Sequence, residues 1–63
     1  MLRMIEVVGV SPVGYSEAAR DAVETLIKQG EKVHFFEVIG QRGAVRDGKL
    51  KEFQVIVKVA VEG

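Results

Sequence analysis

A chain of 63 residues with nine basic and nine acidic side chains and no net charge can hold one small core, since so short a chain buries only about 60% of its unfolded surface. It has no Cys and a single His, His34, which excludes disulfides, thiolate metal sites and a His-rich metal centre. Interspersed, balanced charge argues against a sequence-independent grip on nucleic acid, and no apolar run approaches the roughly 20 residues of a membrane span.

Leu2 to Val10 reads as a strand, with β-branched Ile5, Val7 and Val8 suited to a pleated surface. Gly9 permits a bend or a close backbone approach. Ser11-Pro12-Val13-Gly14-Tyr15 is a loop. Ser16 to Gln29 reads as a helix with Ser16 as N-cap and Glu17 in its first turn, a charge suited to the positive end of the dipole. Ala18, Ala19, Ala22, Val23, Leu26 and Ile27 recur at helical spacing as one apolar stripe. Gly30 is its stop signal.

A second strand is expected from about Val33 to Arg42. Its alternation is imperfect: Val33, Phe35, Glu37, Ile39 and Gln41 fall on one face, and His34, Phe36 and Val38 on the other. Gly40 inside it suggests a bend or bulge. Asp47-Gly48 between apolar runs is a hairpin signal, because a type I′ turn needs positive φ at both central residues. The third strand, from Glu52 to Val61, presents Phe53, Val55, Val57, Val59 and Val61 on one face. Glu52, Gln54, Ile56, Lys58 and Ala60 occupy the other.

The fold class is therefore α+β, in the order β-α-β-β. A right-handed crossover makes the first two strands parallel, and with strand one beside strand three the sheet order is 1-3-2, wrapped on one helix. One helix covers one face. The opposite face, carrying Ile56, Ala60 and Phe35 or Phe36, has no second helix, which is the physical reason to expect assembly. Residues 1–63 are read as a single domain that supplements its small core by oligomerising. No signal-peptide core follows Met1-Leu2-Arg3-Met4, so a cytoplasmic protein is expected.

The order and length resemble the dodecins. So do Val7-Val8-Gly9-Val10-Ser11-Pro12, Phe36-Glu37-Val38 with Gln41-Arg42-Gly43, and Glu52-Phe53-Gln54-Val55 with Lys58-Val59-Ala60. The resemblance implies a hollow homododecamer of 23 symmetry that is not an enzyme. It implies binding of flavins (riboflavin, FMN or FAD) in pairs near the threefold axes, for storage and photoprotection; some dodecins also bind coenzyme A. Carried over residue by residue, Phe35 stands where the family has its flavin-stacking tryptophan. Gln54 matches the ring-contacting glutamine, and Arg42 is the candidate phosphate or ring-edge contact. No catalytic and no metal-binding residue is implied.

The chain has no Trp, and Phe offers less overlap area and a weaker electron donor. The alternative is therefore a dodecin-like cage that binds no flavin, or binds it weakly, and holds coenzyme A or another small ligand. Each site residue also has a plainer role open to it. Phe35 can be an interface residue, Gln54 can satisfy a neighbouring subunit's backbone, and Arg42 can be a solvated hairpin charge. Glu37 and Glu52 form a general-acid pair only on paper, since no nucleophile or third group accompanies them. Glu37 opposite a basic residue of strand three is the simpler account.

Overall fold

In the computed structural model, which describes residues 1–63, the elements run β1 (Leu2–Ser11), α1 (Tyr15–Lys28), β2 (Val33–Arg46) and β3 (Lys49–Glu62). β3 is the middle strand. β1 and β2 both pair with it antiparallel, so the order is 1-3-2 and the outer strands run parallel to each other. The β-α-β-β order, the strand order and the single helix are those the sequence predicts.

The central position of β3 accounts for its valines. Val55, Val57, Val59 and Val61 have no solvent exposure and pack with Ala18, Ala19, Ala22 and Leu26 of α1. Burying each valine stabilises the fold by about 1.5–3 kcal/mol. Small helix residues let the backbones approach closely, and Gly9 of β1 marks the tightest point. A Cβ built there would lie 1.9 Å from the Ala18 carbonyl oxygen and 2.9 Å from the Ala22 Cβ. Glycine is needed here for want of room.

The helix begins one residue earlier than the sequence suggests. Its N-cap is Gly14, in an extended conformation and with no side-chain cap, so Ser16 lies inside the first turn. Starting at Tyr15 carries that ring onto Phe53, edge to face with centroids 5.0 Å apart and planes at 76°, a favoured aromatic geometry. The C-terminus follows the sequence signal. Gly30 has φ 94. Its N–H donates to the Ile27 carbonyl at 3.0 Å, and the Glu31 N–H to the Leu26 carbonyl at 3.1 Å, the two bonds of a Schellman motif.

Asp47 and Gly48 form the hairpin turn with φ 53 and 73, as a type I′ turn requires. The strands are longer than expected: β2 continues to Arg46 and β3 starts at Lys49. A two-residue turn leaves no slack, so backbone pairing persists through residues whose side chains look like loop. β1 ends at Ser11, opposite Phe53. Beyond that point the hairpin is a two-stranded arm, and the molecule is 45 Å long.

β2 is irregular. Its register against β3 shifts between Val33 and Phe35, between Val38 and Gly40, and between Ala44 and Val45. Each bulge exchanges the faces of the residues that follow. Val33 and Gln41, expected on the face of Phe35, are therefore opposite helix-facing Val61 and Val55. Phe36 and Val38 also face the helix side, opposite Val59 and Val57. Of the two phenylalanines, Phe35 is the one on the uncovered face.

Candidate functional site

The sheet face away from α1 can be built row by row from the register. Met4, Ala60 and Phe35 form one row; Glu6, Lys58 and Glu37 the next. Val8, Ile56 and Gly40 follow, then Val10, Gln54 and Arg42, with Glu52 opposite Ala44 beyond them. Apolar and polar rows thus alternate across an open surface. Phe35 is 54% exposed, Val8 51% and Met4 49%. Glu37 does face Lys58, as cross-strand charge pairing suggests, yet the close polar contacts are elsewhere: the ion pair of Arg3 with Glu31 at 3.4 Å, and the hydrogen bond of His34 with Glu62 at 3.0 Å.

Phe35, Gln54 and Arg42 share this face only because of the bulge at Ile39. Counted by simple alternation, Phe35 and Arg42 would point to opposite sides. One extra residue between Val38 and Gly40 reverses the parity and places Arg42 across from Gln54. Phe35 stands across from Ala60, six residues along β3 from Gln54, or roughly 20 Å at the rise of a strand. One chain therefore brings Arg42 and Gln54 together and holds Phe35 apart from them.

Around Gln54 the polar side chains are linked. Arg42 Nε donates to Gln54 Oε1 at 2.5 Å, and Gln54 Nε2 donates to Glu52 Oε2 at 2.7 Å. The result is a guanidinium–amide–carboxylate chain in which both hydrogen bonds have a charged partner and are stronger for it. The contact between Glu52 and Gln54 is not among the sequence expectations, although residues i and i+2 of a strand share a face. Glu52 and Glu37 sit opposite Ala44 and Lys58, too far apart along the strands to act on one bond as an acid–base pair. No group of three or more His, Asp or Glu side chains converges as a cation site would need.

A second concavity lies on the helix side, between α1 and the free edge of β2. It has a volume of about 590 Å³ and is lined by Tyr15, Val23, Ile27, Phe36, Val38 and Gln41 among others. Ile27 and Phe36, read as stripe and strand residues, are 52% and 47% exposed on its walls. The helix covers the middle and β1 side of the sheet and leaves the β2 edge open.

The dodecin family model matches residues 1–62. The chain belongs to the dodecin family. Solved dodecins share its fold. The dodecin from Streptomyces davaonensis is 31% identical, with a TM-score of 0.91 over 97% of this chain and 90% of that one. The dodecin from Streptomyces coelicolor is 38% identical, also at 0.91, over 97% and 87%. A tryptophan-to-phenylalanine mutant of the Thermus thermophilus dodecin is 31% identical with a TM-score of 0.88, over 97% and 91%. A comparison with curated proteins gives no significant match. No helix of this dodecin is long and apolar enough to cross a membrane.

Proposed function

We propose that this dodecin is a non-enzymatic flavin-binding protein that assembles as a cytoplasmic homododecamer and stores and photoprotects riboflavin, FMN or FAD. The observation that carries the reading is the common placement of Phe35, Gln54 and Arg42 on the one sheet face that no helix covers, in a chain of the dodecin family. Phe35 supplies the stacking surface. Gln54 offers amide donors and an acceptor to the carbonyl and N–H groups of the ring edge, and Arg42 is the cation for a phosphate or the ring edge. Because Phe35 and Gln54 of one chain are roughly 20 Å apart along the sheet, a ring stacked on Phe35 meets Gln54 of a neighbouring copy, so the site is completed by assembly. The exposed apolar rows at Met4 and Val8 supply surface for that assembly.

A second reading, a dodecin cage that holds coenzyme A or another small ligand in place of flavin, draws on two observations. The chain has no tryptophan, and the amide of Gln54 is already engaged by Arg42 and Glu52. Native mass spectrometry of protein purified from cells, before and after soaking with FMN, separates the readings. Twelve subunits with added mass in flavin-sized steps support the first. Twelve subunits that stay flavin-free after soaking favour the second. A monomer or dimer overturns the assembly on which both rest.

A further inference from the structure

A primary amide has two N–H donors and two oxygen lone pairs. In Gln54 one lone pair accepts from Arg42 Nε and one N–H donates to Glu52 Oε2. One donor and one lone pair remain. The two held positions differ in sign: a cation stands at the oxygen end and an anion at the nitrogen end. Turning the amide over would point N–H groups at the guanidinium and the carbonyl oxygen at the carboxylate. Two charge-assisted bonds would be exchanged for two repulsive contacts, which disfavours the flipped form by about a hundredfold or more. An isolated glutamine has no such preference and rotates to suit whatever it meets.

We propose that Glu52 is a positioning residue for ligand selection, fixing through its hydrogen bond the orientation in which the Gln54 amide meets a bound ring. The inference rests on the flavin reading given above. The free pair of one amide N–H and one amide lone pair is complementary to a ring edge on which a carbonyl stands next to an N–H, the edge of a cyclic imide such as the pyrimidine ring of a flavin. Glu52 is half-buried and precedes Gln54 by two residues on the same strand face, so its carboxylate reaches the amide without backbone change. Arg42 acts on the other end of the same amide. Of the two, Glu52 is the cleaner lever, because Arg42 is also a candidate contact for the ligand itself.

The test uses riboflavin and its N3-methyl analogue, which keeps both ring carbonyls and lacks the N–H between them. Both are titrated by calorimetry into the assembled protein and its Glu52→Gln variant. A neutral amide at 52 can rotate and present either a donor or an acceptor, so only exposed Arg42 still holds the Gln54 amide, and the flipped form loses the penalty at the Glu52 end. The unsubstituted protein is expected to prefer riboflavin by about tenfold, the equivalent of one directed hydrogen bond. In E52Q that preference should fall below about threefold, with subunit number and thermal midpoint unchanged. Selectivity that survives in E52Q overturns the positioning role, and so does a variant that loses both ligands in equal proportion. If the unsubstituted protein binds no riboflavin, the flavin reading falls and takes the inference with it.

Discussion

Replacing Gly9 with alanine tests the packing of helix on sheet directly. The added Cβ would sit 1.9 Å from the Ala18 carbonyl oxygen and 2.9 Å from both the Ala18 carbonyl carbon and the Ala22 Cβ. Two of these atoms are helix backbone, so no rotamer change relieves the clash. Reaching an ordinary van der Waals distance means moving the first two turns of α1 away by about 1.5 Å, and a gap of even 0.5–1 Å forfeits a quarter to a half of the dispersion well. Those turns hold Ala18, Ala19 and Ala22 against the fully buried valines of β3. The cost should fall at the upper end of overpacking substitutions, about 3 kcal/mol, which for a domain of this size lowers the thermal midpoint by roughly 12–24 °C. The assay is thermal unfolding by circular dichroism at one fixed protein concentration, because any self-association would make the midpoint concentration-dependent. Gly48→Ala is the matched control. It has φ 73 and nothing within 4 Å, so it costs only backbone strain, about 1 kcal/mol or roughly 4–8 °C. A Gly9→Ala protein that melts within 3 °C of the parent, or no lower than Gly48→Ala, would refute the close approach of α1 to β1.

Phe35→Trp should tighten FMN binding about tenfold, through greater stacking area, and should deepen quenching of flavin fluorescence; an unchanged titration would remove Phe35 from the site. Val57→Ala removes two methyl groups from a side chain with no exposure and should cost about 2 kcal/mol in urea unfolding. A loss under about 0.5 kcal/mol would place that residue outside a packed core.

Much of this architecture is legible in the sequence because its signals are local. Gly30 is followed by a break in the apolar stripe, and Asp47-Gly48 lies between two apolar runs; both acted where they stand. The valine ladder of β3 has a strict period of two, and a strand paired on both sides has no freedom to depart from it. β2 is different. It is an edge strand with three register shifts, and the residue that sets the faces of Phe35 and Arg42 relative to each other, Ile39, is bulged because of how β2 meets β3. Gly40 hinted at an irregularity without fixing its register. Phe35 on the uncovered face and Arg42 beside Gln54 both depend on that register. The start of the helix departs from the sequence signal for a similar reason: Ser16 is a better N-cap by preference, but the contact of Tyr15 with Phe53, distant in the chain, is made from the first helical position.

The middle strand of the sheet follows both of its partners in the chain. While β1, α1 and β2 emerge during synthesis, neither strand has anything to pair with, and the alanine face of α1 has only the unpaired strands to meet. Because both outer strands pair only with β3, no strand-to-strand bond of the sheet can form before β3 is made. The two outer edges of the sheet, β1 and β2, therefore gain their one partner from the same last segment of the chain.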